Sequence, residues 1–255
     1  MHKLTLVCFF RNYLNYCGRL CYFCATSLIL IFMLRKAWWK VLAVAMLFYT
    51  FIGGFLGGVP EKPILNESIR NLYFHVAMWF GMMVLFTVSV IYSIRYLVTN
   101  KPLDDHYAIE YSNSGILLGV LGLITGSIWA NFTWGSPWSN DPKQLGSAIA
   151  LLIYFAYIVL RNSITDLDKR ARIGAVYNIF AFAMLFPTIW ILPRLAESLH
   201  PGGMGNPGFN QKDIDGRMRI VFWLGAVPGW TLLAVWITTL RLRVKIIEEK
   251  RSEHA

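Results

Sequence analysis

The sequence predicts an all-α, polytopic membrane protein: a bundle of six transmembrane helices with both termini on the cytoplasmic side. Three observations carry this expectation. Of 255 residues, 56% are hydrophobic and only 15% are charged, against about 25% charged in soluble domains, and the mean hydropathy is +0.49. Six long apolar segments follow one another, and no segment between them is long enough to fold alone. Finally, 17 of the 24 lysines and arginines fall in residues 1–40, 95–112, 161–173 and 241–255. These alternate to one side of such a bundle, which the positive-inside rule makes cytoplasmic, leaving 59–73, 133–145 and 193–219 outside.

Residues 1–36 form an N-terminal extension. Its apolar stretch Leu20–Phe32 is short for a span and resembles a signal h-region, but no A-x-A cleavage site follows. Met33 precedes Leu-Arg-Lys-Ala-Trp-Trp-Lys, which has the character of a cytoplasmic N-terminus, so translation is expected to start there; the alternative is a membrane-associated extension. All four cysteines, Cys8, Cys17, Cys21 and Cys24, precede the first span. Cys21 and Cys24 match C-x-x-C, but neither a βαβ context nor a second ligand pair accompanies them.

The six-helix domain is expected over residues 37–245, followed by a charged cytoplasmic tail at 246–255. Its spans are expected at about Trp38–Val59, Phe74–Ile94, Ser114–Phe132, Gly146–Leu160, Gly174–Leu192 and Ile220–Leu240. Most have about the 20 residues a helix needs to cross a bilayer, and all are too long for barrel strands. The fourth is shortest and can begin inside the preceding loop. No Asp or Glu lies within any of the six, as expected where burying a charge costs several kcal/mol. Pro187 and Pro228 remove backbone donors and predict kinks in the fifth and sixth spans. The Gly- and Pro-rich segment 193–219 is long enough to be functional.

The net charge of +10 does not indicate nucleic-acid binding, because the charges sit scattered at helix ends rather than on one basic face. The chain has no G-x-x-x-x-G-K-[ST], so it is not an ATPase of that class. It also lacks H-E-x-x-H, C-x-x-C-H and G-x-S-x-G, and no acid in mid-span marks a proton path.

Two histidines and one loop carry the chemistry. Of five histidines, His2 and His254 are terminal and His106 lies in a charged cytoplasmic segment. His75 and His200 both sit at outer helix ends. Either alone is explained as an interfacial side chain. Together they form a candidate pair of axial ligands for heme iron. Zinc wants three or four ligands, and only Asp141 or Asp213 could add to the pair. Between them in sequence lies Trp134-Gly135-Ser136-Pro137-Trp138-Ser139-Asn140-Asp141. An aromatic belt at the interface accounts for Trp129 and Trp134, but less well for a Trp-Gly-x-x-Trp-x-x-Asp pattern in a short turn-rich loop. Indole faces can stack on a flat apolar ligand. Asp141 is suited to orient an indole N–H or a lysine, and Arg70 and Lys143 to pair with propionates or with lipid phosphates.

These residues resemble the heme exporter protein C (CcmC) family of the bacterial cytochrome c maturation system. The resemblance covers about Trp38 to Leu240. The family motif W-G-x-x-W-x-W-D-x-R-L-T falls on Trp134, Gly135, Trp138 and Asp141, and its external histidines on His75 and His200. Asn140 replaces a third Trp, Lys143 the motif Arg, Gln144 and Leu145 the usual Leu-Thr, and Ala77 a Pro. Lys cannot copy a bidentate Arg contact.

The resemblance implies a multi-pass protein of the bacterial cytoplasmic membrane with periplasmic functional loops. It would bind heme b in transit at the outer face, His75 and His200 being axial ligands and Trp134, Gly135, Trp138, Asp141, Arg70 and Lys143 lining the site. It would promote attachment of that heme to the periplasmic chaperone (CcmE) as a heme lyase-like factor without its own ATPase. The implied partners are the ABC transporter subunits (CcmA, CcmB), a small membrane subunit (CcmD) and membrane lipid. The alternatives are a component of a cytochrome c synthase (the CcsA or CcmF type), which is usually larger and carries histidines within its spans, and a small-solute permease, which would show a polar or broken midplane site.

Overall fold

The computed structural model describes residues 37–61, 64–200 and 214–253. The expectations for the N-terminal extension, its cysteines and Met33, and for Asp213 and His254, lie outside these. Residues 1–42 and 43–255 form two compact units; of the first, only 37–42 are described, and they are helical.

Six helices are long and apolar enough to cross a membrane, and no strand occurs among the described residues. They are α1 (Ala37–Leu56), α2 (His75–Thr99, entered through the 3₁₀ helix Asn66–Tyr73), α3 (Pro102–Trp134), α4 (Pro142–Ser163), α5 (Leu167–Leu195) and α6 (Gly216–Ser252). Large apolar side chains such as Phe48, Val98, Phe132 and Val159 project outward. That arrangement suits a lipid solvent, where backbone polar groups must be satisfied within each helix. The chain is a multi-pass membrane protein.

Several helices outrun the apolar segments that mark them. Residues 95–112, expected as a loop, are almost wholly helical, and the α2–α3 connection is only Asn100 and Lys101. Asn100 takes the left-handed conformation at φ 52° and caps α2 through its N–H to Tyr96 O. Pro102 opens α3, with Asp104 and Asp105 in its first turn, where proline costs no hydrogen bond and acids favour the helix dipole. The acids that make this stretch look like loop are paired by other helices. Asp105 meets Arg161 of α4 through both oxygens, Glu110 accepts from Arg241 of α6 at 2.5 Å, and Asp104 lies 3.3 Å from Arg95 of α2. His106, expected in a loop, stands on α3 with Nε2 2.9 Å from Glu249. This is the charged end of the bundle; His75 and His200 lie at the opposite end.

The core is built on a stripe of α3. Gly115, Gly119, Gly122 and Gly126 face, in order, Phe86, Met82, Trp79 and His75 of antiparallel α2. Both sets step by four, three and four residues, so each glycine receives one α2 side chain. Small residues at this spacing let membrane helices approach closely. Phe86 also stacks on Tyr154 of α4, centroids 3.6 Å apart and planes within 3°.

Widened π-helical turns occur at Phe186–Ile191 in α5, where Pro187 stands at the start of the turn, and at Val221–Ala226 in α6, just before Pro228. Each turn contains the carbonyl four residues before a proline (Ile189 before Pro193, Leu224 before Pro228), the one the pyrrolidine ring would strike in a regular helix. In α5 the wide turn presses against α4 at Gly146, where a Cβ would lie only 2.1 Å from Thr188 O. That contact brings the end of α5 over the histidine end of α4.

Candidate functional site

A cavity of about 290 Å³ opens among the histidine ends of α2, α3, α4 and α5, near the lower bound of ~300 Å³ for small-molecule pockets. Its walls are mostly apolar, with Trp79, Phe80, Met83, Leu123 and Ile189 among them. His75, His200, Lys143, Gln144 and Arg194, with Ser127 and Ser147, supply the polar groups.

His75 is the first residue of α2. Its Nδ1 lies 2.7 Å from Gly122 O. A carbonyl only accepts, so Nδ1 carries the proton and the neutral ring keeps its lone pair on Nε2. The ring fits because Gly126 has no side chain; a Cβ there would sit 2.3 Å from His75 Cε1. Trp79, one turn on, meets the imidazole edge-on at 6.4 Å.

His200 reaches the cavity from beyond α5. Its Nδ1 lies 2.8 Å from Asp141 Oδ1, so in the neutral ring Nε2 is the lone-pair nitrogen. Neither Nε2 makes a hydrogen bond among the described residues. Asp141 is the N-cap of α4, and its buried carboxylate is fully engaged. Oδ1 also accepts from Lys143 N at 2.9 Å; Oδ2 accepts from Ser198 Oγ at 2.8 Å and Leu199 N at 2.6 Å. Burial by itself would push the Asp141 carboxyl up, but the hydrogen bonds from His200, Ser198 and Lys143 N together hold it well below the usual carboxylate range.

The tryptophan loop packs behind His200, outside the residues that line the cavity. Gly135 ends α3 in the left-handed conformation, φ 77°, with its N–H on Asn131 O. Trp134 and Trp129 pack edge to face at 4.9 Å, and both flank the His200 ring, at 4.9 and 5.8 Å. Trp138 does not line the cavity; it is partly exposed, and its Nε1–H donates to Asn140 Oδ1 at 2.7 Å. Asn140 takes φ 55°, a left-handed conformation that Asn tolerates far better than a bulky side chain. Gln144 ties the loop down: Oε1 accepts from Ser139 N and Oγ at 3.0 and 3.1 Å, and Nε2 donates to Pro137 O at 3.3 Å.

The structure thus brings His75, His200, Trp134, Asp141 and Lys143 to one end of the bundle, with Gly135 and Trp138 in the adjoining loop. Asp141 holds His200 rather than an indole or a lysine amine. Arg70 points elsewhere: it donates to Gly54 O at 2.7 Å and Gly57 O at 2.5 Å, and to Glu67 at 2.5 Å, fastening the 3₁₀ helix to the end of α1. Arg194 supplies the second cation instead. It lies on the last turn of α5 over the Trp190 ring, 5.2 Å from its centroid. Sequence reasoning missed Arg194 and the glycines that seat His75; the repeated Gly-x-x-x-Gly at 115–119 and 122–126 was the available signal for the latter.

No group of three or more His, Cys, Asp or Glu able to hold a metal ion occurs among the described residues. Two imidazoles presenting Nε2, an apolar wall and two cations at its edge fit an iron porphyrin with carboxylate substituents better than a bare ion.

Over 214 residues the chain is 22% identical to the heme exporter protein C of Rhodobacter capsulatus, covering 82% of this chain and 85% of that one. Over 217 residues it is 24% identical to the heme exporter protein C of Escherichia coli, covering 84% and 85%. A shorter match, 43% identical over 99 residues, joins it to the cytochrome c biogenesis protein CcsA of Prochlorococcus marinus; it covers 34% of this chain and 31% of that protein. The family model described as CcmC, heme exporter protein C, matches residues 22–255. The chain belongs to the heme exporter protein C (CcmC) family.

Proposed function

We propose that this protein handles heme for cytochrome c maturation. It would hold heme b at the outer face of the bacterial cytoplasmic membrane, with His75 and His200 as axial ligands, and pass it to the periplasmic heme chaperone (CcmE). The ABC transporter subunits (CcmA, CcmB) and the small membrane subunit (CcmD) are the proposed partners. The observation that carries this reading is the pair of Nδ1–H imidazoles, from distant parts of the sequence, that line one apolar cavity. Trp134 and Trp129 flank His200, and Lys143 and Arg194, which line the cavity, would meet the propionates. The charge distribution supports the orientation, since the histidine end is poor in Lys and Arg.

Deleting the protein from cells that express the chaperone tests the reading. The covalent heme–chaperone adduct should disappear and return with the wild-type gene, and a thiol placed by Ser139→Cys in a cysteine-free background should label from the periplasm. An adduct that forms at normal levels without the protein overturns the function; labelling only from the cytoplasm overturns the orientation. The high local identity to CcsA favours, as a second reading, a component of a cytochrome c synthase. That reading predicts covalent heme on apocytochrome without any chaperone adduct.

A further inference from the structure

The two proposed ligands differ in what stands behind them. His75 gives its Nδ1 proton to a main-chain carbonyl, Gly122 O, at 2.7 Å. His200 gives its own to a carboxylate, Asp141 Oδ1, at 2.8 Å. The carboxylate cannot turn away: Ser198 Oγ, Leu199 N and Lys143 N all donate to it, and its side chain is fully buried. An ionised acceptor in a dry setting forms a stronger hydrogen bond than a carbonyl and leaves the far nitrogen of the ring more basic.

We infer that the axial pair is electronically unequal, with Asp141 acting as a positioning residue that makes His200 the strong, retained ligand and His75 the weaker one, first released when heme departs. This rests on the heme-handling reading. It assigns Asp141 a role that does not require contact with the porphyrin. It also gives hand-over a direction: heme would open on its His75 face while still held from His200. Ser198 and Leu199 tune the pair. Each hydrogen bond they give Oδ2 draws charge from the carboxylate and weakens its pull on the His200 proton.

The test is the heme reduction potential and the low-spin EPR spectrum of the purified protein and two variants. Asp141→Asn keeps the shape but weakens the acceptor. It should shift the potential upward, widen the EPR g-spread toward that of two neutral imidazoles, and speed heme loss by about 10–100-fold, as other partners behind metal-bound histidines do. Ser198→Ala removes one donor from Oδ2 and should shift the potential the opposite way. A merely structural role for Asp141 would not give opposite signs. Where Asp141→Asn retains no heme, the Ser198→Ala shift decides alone: a downward shift supports the inference, and no shift or an upward one overturns it. If the wild type binds bis-histidine heme and the variants leave its potential unmoved, the asymmetry fails and the heme-handling reading stands. If the wild type takes up no heme, both fail.

Discussion

Gly126→Ala should leave the protein folded and in the membrane, yet cost it about 10–100-fold in heme retention. The new methyl would lie 2.3 Å from His75 Cε1, far inside van der Waals contact. α3 is a long helix packed along α2, so the ring must yield rather than the backbone. Overpacking of this kind typically costs ~1–3 kcal/mol. Turning the ring also breaks the Nδ1–H bond to Gly122 O and redirects Nε2. Losing a partner that orients a metal-bound imidazole reduces affinity by about 10–100-fold. Gly119→Ala is the informative comparison. Its Cβ would meet Met82 Sδ at 2.8 Å and a Leu151 methyl at 2.6 Å, both ends of flexible side chains remote from the histidines. It should lower stability modestly and leave heme binding intact. The measurement is heme dissociation to an external acceptor, followed at the Soret band; equal rates for the two variants would remove Gly126 from the site.

Asp105→Ala should be the most destabilising single change away from the site, by about 3–5 kcal/mol. Arg161 would be left charged with its side chain only 6% exposed and its carboxylate partner gone. The guanidinium has no room to escape toward α5, where Gly174 lies so close that a Cβ would come within 2.6 Å of its Nη1. Replacing both partners with apolar residues, Asp105→Leu with Arg161→Met, should recover much of the loss, because the penalty comes from the stranded charge rather than from the missing pair. Thermal unfolding in detergent measures both. A double variant as unstable as Asp105→Ala would show that the pair itself, not the uncompensated charge, holds the charged end together.

Much of this fold was legible because lipid leaves so few options. Six long apolar stretches without an Asp or Glu could hardly be anything but spans, and the helices form around all six. The helix ends were not legible. Asp104, Asp105 and Glu110 look like a loop until Arg161 and Arg241 are seen beside them, 56 and 131 residues away from the acids they pair with. Pairing across helices has no local signature.

The site divides along the same line. His75, His200 and the loop from Trp134 to Asp141 stood out by residue type and by position at helix ends. Their relations did not. Asp141 and His200 are 59 residues apart, and nothing near either indicates that one carboxylate caps α4 and seats an imidazole at once. Arg70 has the right charge on the right side of the bundle, but its partners are the carbonyls of Gly54 and Gly57, and any residue can supply a carbonyl. Asn140 and Lys143 were legible by residue type alone, but not by what they do. Asn140 fills a left-handed position and holds the Trp138 indole, while Arg194 stands at the cavity beside Lys143.

The central claim is that His75 and His200 together hold one heme. Visible spectra of the purified protein, its His75→Ala variant and its His200→Ala variant test it most directly. The wild type should show the sharp α and β bands of low-spin, six-coordinate ferrous heme on reduction. Each alanine variant should lose those bands and most of its Soret absorbance, with added imidazole restoring part of both. A Soret band and low-spin spectrum that survive unchanged in both variants would contradict the account.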